Sequence, residues 1–266
     1  MSTEAVTPAR AVRLVVEGHV TWYLKNWHVS VVGSVLQPLL ALVAFGVFFG
    51  RLAASGSGLQ QVTGGPPYLV YLTPGLLCAA ALMSGATESS FPVFAGFEWQ
   101  KNYEAITATP VSPVQLAIGQ LSWVALRILG GGAIYLAVAA AFGGVESFRI
   151  LIALLVSVLT GLAFAAAVSA YAATIKRDNG FNVMFRFIVV PMSLFAGTYF
   201  PIDRLPDWAQ VVAVVTPLWH GTQLAREATL GTWELWPSLG HLAYLITWIA
   251  AGVALACWRF RVRLNR

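Results

Sequence analysis

Three ionisable side chains, Glu88, Arg127 and Arg186, stand inside long apolar runs of this sequence. A charge in hydrocarbon is costly, so such residues face one another or a water-filled path. At about 1.5 Å of rise per helical residue, Glu88 and Arg186 fall at similar depths, which predicts that they pair. Arg127 lies nearer the middle of its run, where an anionic headgroup or a helix C-terminus would meet it. For all three, structural pairing is favoured over direct contact with a substrate. The histidines, His19, His28, His220 and His241, are scattered near the ends of apolar runs. They are expected to snorkel singly to the interface, not to form a catalytic or metal cluster. Cys78 and Cys257 lie in apolar stretches with no Cys or His at metal-like spacing, and read as small packing residues. The chain lacks a phosphate loop ending in Gly-Lys-Ser/Thr, a His-Glu-x-x-His zinc motif and a Gly-x-Ser-x-Gly elbow. Catalytic residues, metal ligands and a bound cofactor are therefore not expected.

Composition explains where such charges must sit. Of 266 residues, 58% are hydrophobic and only 10% charged, against about 25% charged in a soluble domain. The apolar residues come in runs long enough to cross a bilayer as helices. The reading is an all-α integral membrane protein forming a single transmembrane domain over residues 1–266. Residues 8–29 are too polar to span. Val12, Val15, Val16 and Trp22 share one helical face there and Arg10, Arg13 and Glu17 the other, as in a helix lying in the interface. Six spans follow, at about Val31–Gly50, Tyr68–Phe94, Val114–Phe142, Phe148–Ile175, Val183–Phe200 and His241–Trp258. A Ser/Gly-rich loop follows the first, and Pro74 and Pro92 distort the second.

With both termini placed in the cytoplasm, ten Lys/Arg fall inside and four (Arg51, Arg149, Arg204 and Arg226) outside. That excess obeys the positive-inside rule, so the expectation is a multi-pass protein of the cell (inner or plasma) membrane with cytoplasmic ends. The formal charge of +5 is explained by this topology, and no nucleic-acid partner is expected. Gly161, Ala165, Ser169 and Ala173 recur every four positions on the fourth span and Gly130, Gly131 and Gly132 cluster on the third. Such surfaces let helices approach closely in lipid, and packing within one chain is favoured over a subunit interface.

Two segments between spans have their own character. Residues 97–113 contain a predicted short helix over 97–109 that Pro110 stops. Trp99, Tyr103 and Ile106 form its apolar face, with Glu98, Lys101 and Asn102 turned away. By itself this suits either a membrane-surface helix or a docking helix. Residues 201–237 are amphiphilic and too interrupted to span: Pro201, Pro206 and Pro217 cut them into short pieces around Asp203 and Trp208.

Three stretches together resemble the permease subunits of type-2 ATP-binding-cassette (ABC) exporters: LQPLLALVAFGVFFG at 36–50, FEWQKNYEAITATPVSPVQLAIGQL at 97–121 and FAGTYFPIDRLPDWAQVVAVVTPLWHGTQLARE at 195–227. The wording is most similar to the branch that includes the nodulation lipo-oligosaccharide exporter permease, through Trp99, Gln100, Lys101, Tyr103, Ala105, Ala108, Thr109, Pro110, Ser112 and Pro113. Drug-exporter permeases look more distant, since their Glu-x-Gly-Thr signature is replaced here. The resemblance implies that Glu98, Trp99, Lys101, Tyr103, Glu104 and Ile106 belong to a cytoplasmic coupling helix that docks on an ABC ATPase. It implies short outer re-entrant helices over 201–237, closing the exit of a pathway. Two ATPase subunits holding ATP and magnesium and a second permease, expected as a homodimer, would complete the exporter. The cargo would be an amphipathic, lipid-linked or saccharide-containing compound or a drug. A stand-alone secondary transporter would need more intramembrane carboxylates than Glu88 and an internal repeat, neither of which is visible. An intramembrane enzyme would need a facing nucleophile and base.

Overall fold

The computed structural model describes residues 7–26, 40, 43–44 and 67–265. The expected first span, its Ser/Gly-rich loop and the end of the interfacial segment (27–29) lie outside the described residues. The described residues fold into helices only, and four of these are long and apolar enough to cross a membrane: Tyr68–Glu98, Pro113–Ala141, Ile150–Ala172 and Leu235–Leu264.

Helix α1 (Pro8–Lys25) precedes the spans. Helix α2 (Tyr68–Ser89) ends where Ser90 takes φ −93°, ψ −96°, and the chain resumes as α3 (Phe91–Glu98). The second predicted span is thus a helix with a hinge just before Pro92, not a helix ending at 94. A six-residue α4 (Asn102–Thr107) leads to α5 (Pro113–Ala141). Its start is written in the sequence: Ser112 accepts from Gln115 N–H while the Gln115 side chain accepts from Ser112 N–H, with Pro113 in the first turn. Helix α6 (Ile150–Ala172) follows.

The fifth predicted span is shorter than expected. Asn179–Met184 (α7) and Val190–Phe195 (α8) are joined by a π-helical segment, Phe185–Val189. Pro191 lacks an N–H to close an α-helical bond, and a π segment just before it accommodates that loss. The 201–237 stretch holds a 3₁₀ turn, Ile202–Arg204, then α9 (Asp207–Val214) and α10 (Pro217–Leu230). Thr216 caps α10 and Gly231, at φ +75°, ends it. Helix α11 runs Leu235–Leu264, so it begins six residues before the expected span and absorbs the end of the 201–237 segment.

Helix α6 is the hub, packing on α2, α5, α10 and α11. Small residues make this possible. A Cβ on Gly85 of α2 would lie 2.5 Å from the Gly161 carbonyl oxygen, and one on Gly161 would lie 2.7 Å from the Ala81 carbonyl oxygen. Ala165, Ser169 and Ala173 are buried as well, so this stripe packs within the chain. Gly130 and Gly131 have open space where a Cβ would go, whereas Gly132 packs under Leu154 and Leu77. Gly161→Val is therefore expected to abolish the folded, monodisperse peak in size-exclusion chromatography, while Gly130→Ala leaves it unchanged.

Candidate functional site

The segment joining α2 to α5 is an elbow. A continuous helix over 97–109 does not form: Lys101 takes φ +50°, in the left-handed region that breaks a helix, and separates α3 from α4. The reason is packing. Tyr103, 3% exposed, folds back onto Gly96, where a Cβ would lie 2.5 Å from its ring. It meets Phe97 edge-on at 4.8 Å, and Phe260 of α11 lies 4.9 Å from Phe97 and 5.8 Å from Tyr103. Burial accordingly pushes the Tyr103 hydroxyl pKa upward. The expected common face of Trp99, Tyr103 and Ile106 is thus split: Tyr103 is anchored inward, Ile106 is half-buried, and Trp99 is 60% exposed. Lys101, Asn102 and Glu104 are exposed beside Trp99.

Glu98 is not turned to solvent as expected. It pairs with Arg263 near the end of α11. Arg263 also lies 4.4 Å over the Phe97 ring and donates to the carbonyls of Ala172 and Ile175, at 3.3 and 3.0 Å. One guanidinium therefore caps the end of α6 and ties the elbow to α6 and α11. In sequence, Arg263 has no local mark that separates it from Arg259 or Arg261.

The intramembrane charges pair differently from expectation. Glu88 meets Arg127, not Arg186: Arg127 Nε and Nη2 both donate to Glu88 Oε1, at 3.1 and 2.9 Å. Arg186 lies exposed on the π segment. Arg127 also stacks 4.5 Å over the Tyr23 ring, so α1 is held against α5 through the same charge. His19 of α1 stacks on Trp123 at 5.7 Å, and burial lowers its pKa against the opposing pull of Glu88 and Gln120. The inward face of α1 is built on Ala11 and Val15, while Trp22 is 64% exposed. Val15 sits over Gly119, where a Cβ would lie 2.7 Å away.

At the opposite end, the 201–237 stretch places Trp208 and Asp203 at the surface and Pro217 in the first turn of the largely buried α10. Pro201 precedes the 3₁₀ turn and Pro206 precedes α9. Arg226 of α10 is buried: it donates to the Tyr71 and Thr198 carbonyls at 3.3 and 2.7 Å and lies 3.9 Å over the Tyr71 ring. It is a tether between α10 and α2. His220 and His241, expected to act singly, touch with Nδ1 atoms 2.8 Å apart. Because His220 Nε2 contacts the Val214 carbonyl at 3.0 Å, that nitrogen must donate, so a neutral His220 accepts from His241. Glu227 lies 3.7 Å from His241 and accepts from Ser238 at 2.5 Å. Tyr244 stacks on His220 at 3.8 Å. His220, His241, Glu227, Ser238 and Tyr244 thus form a clasp of hydrogen bonds and ring contacts.

Burial first, then His241, lower the His220 pKa to about 4. The folded value lies below the ordinary 6.5, so the neutral clasp is at full strength above pH 6.5 and weakens as the pH falls toward 4. Thermal midpoints measured across that window are expected to drop with acidity in the native chain and to flatten in His220→Phe.

The arrangement offers a hinged elbow, a paired charge near the hinge and a clasp at the far end. Nodulation protein J of Rhizobium meliloti (strain 1021) is 29% identical over 203 residues, 76% of this chain and 75% of the relative. The Sinorhizobium fredii (strain NBRC 101917 / NGR234) protein of that name is 30% identical over 201 residues, covering 76% and 74%. The inner membrane transport permease YadH of Escherichia coli (strain K12) is 22% identical over 236 residues, covering 89% and 88%. The family model described as ABC-2 type transporter matches residues 10–230, a stretch that contains most of α1, the elbow, the Glu88–Arg127 pair and α10, and the chain belongs to that family.

Proposed function

We propose that this chain is the membrane-spanning permease subunit of an ABC exporter, which performs no chemistry itself and is driven by ATP hydrolysed on a separate subunit. The family match over residues 10–230 carries this reading. Two ATPase subunits, holding ATP and magnesium, would serve two permeases, with a second copy of this chain as the simplest partner. The first span would supply the helix that precedes α2, giving six with the shorter α7–α8 segment. Both termini and the elbow face the cytoplasm on the Lys/Arg count, and α1 lies at headgroup depth.

The elbow is the coupling element. Trp99, Lys101 and Glu104 form its exposed docking face, while Glu98, Tyr103 and Ile106 mount it on the bundle. Approach of two ATPases would push this face, and the Ser90 hinge and Arg263 would pass the movement to α2, α6 and α11. At the other end α9 and α10 act as re-entrant helices that close the exit, held by Arg226 and the histidine clasp. The cargo is an amphipathic, lipid-linked or saccharide-containing compound or a drug.

A gentle-detergent purification of the tagged chain tests this. Magnesium-dependent ATPase activity is expected to co-purify with the native protein and to fall at least tenfold with Trp99→Ala/Lys101→Ala. Because both residues are exposed, the variant should keep the native elution volume. A well-folded preparation that never carries an ATPase would refute the reading.

A further inference from the structure

The carbonyls that end α2 at the hinge lose their usual donors. Pro92 has no N–H, so it cannot close the helical bond to the Glu88 carbonyl, which needs another partner. The Thr87 carbonyl is served locally, by the Ser90 N–H at 3.4 Å and the Ser90 hydroxyl at 3.1 Å. The Glu88 carbonyl takes its donor from another helix. Gln120 of α5, 1% exposed, donates to it from Nε2 at 3.4 Å.

Three further observations bear on this bond. Gln120 and Arg127 lie two turns apart on one face of α5 and grip the same residue: Gln120 holds the Glu88 carbonyl and Arg127 its carboxylate. Helix α1 backs that grip. Val15, His19 and Tyr23 share a face at four-residue spacing; Val15 covers Gly119, His19 is paired with Gln120, and Tyr23 lies under Arg127. Finally, the hinge carries a donor that this conformation does not use. Ser89 is 0% exposed and its hydroxyl has no partner among the described residues. A serine within a helix can bond the carbonyl four residues back, and a buried polar group left unsatisfied is costly. At 3.4 Å the Gln120 bond is itself longer than the about 2.9–3.0 Å usual for N–H···O, so it holds the hinge without locking it.

We propose that Gln120 is a positioning residue for coupling: its amide stands in for the N–H missing at Pro92, and its release lets α3 and the elbow swing about Ser90. The elbow moves with α3 because Tyr103 is packed on Gly96 and Phe97. Helix α2 stays in place, since it is buried against α6. In the released hinge the Ser89 hydroxyl takes up a carbonyl that the swing exposes, which offsets the lost Gln120 bond. Helix α1, through His19, keeps Gln120 aimed at the Glu88 carbonyl at rest. The inference rests on the permease reading only for the force that moves the elbow.

Amide hydrogen exchange of the full chain in lipid nanodiscs tests the latch without any partner. Gln120→Leu, close to glutamine in volume, should speed exchange of the α3 amides about tenfold, the equilibrium worth of one intramolecular hydrogen bond. Exchange in α6 should not change. Pro92→Ala/Gln120→Leu should return the α3 amides to the native rate, because alanine restores the missing N–H. Pro92→Ala alone, at an exposed position, should slow them. Unchanged α3 exchange in Gln120→Leu, or faster exchange that Pro92→Ala does not reverse, would overturn the proposal. Should Gln120→Leu also raise exchange in α6, the single variant Pro92→Ala decides, and no slowing in α3 would overturn the latch. In the complex with a co-purified ATPase, Pro92→Ala should cut nucleotide-dependent labelling of Trp208→Cys while hydrolysis persists; undiminished labelling would overturn the role in coupling. A chain that never carries an ATPase would refute the permease reading and leave the exchange results standing, so the two failures are distinct.

Discussion

Arg127→Leu is expected to destabilise the chain more than removal of any other intramembrane charge. The loss should approach the about 3–5 kcal/mol found when one partner of a buried ion pair is removed. The Glu88 and Arg127 side chains are 23% and 14% exposed, so the carboxylate left behind cannot recover its hydration. The substitution also removes the guanidinium from the Tyr23 ring and loosens α1 from α5. The double variant Glu88→Gln/Arg127→Met should regain most of the loss, because replacing both members leaves no orphan charge. Arg186→Met, at an exposed position, should stay within about 0.5 kcal/mol. Thermal unfolding in one detergent, arranged as a double-mutant cycle, reads all of this. Strong coupling of Glu88 to Arg186 with none to Arg127 would contradict the geometry.

The second large effect is expected at Arg263, and it separates binding from transmission. Arg263→Leu leaves Trp99 and Lys101 exposed and in place, so the ATPase should still co-purify. It cuts the links from Glu98 and Phe97 to the Ala172 and Ile175 carbonyls, so motion of the elbow should no longer reach α6 and α11. The readout is nucleotide-dependent labelling of Trp208→Cys, an exposed position in the segment proposed to close the exit, in a Cys257→Ser background. The nucleotide-induced change should fall at least tenfold in Arg263→Leu while ATP hydrolysis persists. Arg263→Lys should rescue little, since a single ammonium cannot hold the planar, several-point contact of a guanidinium. Loss of ATPase binding in Arg263→Leu would instead mean that the elbow's docking face itself depends on this anchor.

The exposed faces and the anchors of the elbow differ in how they can be read. Trp99 and Lys101 were recognisable from sequence, and both are exposed in the structure. Tyr103 was recognisable as apolar, but its direction was not, because a helical wheel assumes an unbroken helix. The chain breaks at Lys101, where the close approach of Tyr103 to Gly96 outweighs the continuity of a short helix.

What the sequence by itself determined is local or compositional. Apolar runs too long for any soluble core required membrane helices, Ser112-Pro113 with Gln115 set the start of α5, and Thr216-Pro217 with Gly231 bounded α10. These depend on hydropathy, capping hydrogen bonds and backbone freedom, which act over a few residues. The tertiary structure alone decided that Glu88 pairs with Arg127, that Arg263 binds three elements, that Arg226 is buried against Tyr71, and that His220 meets His241 across 21 residues. Each depends on the rotation and axial offset of one helix against another. Those are set by the packing of the whole bundle, above all by Gly85 and Gly161 bringing α2 and α6 into backbone contact, and depth counted along single helices carries no information about them.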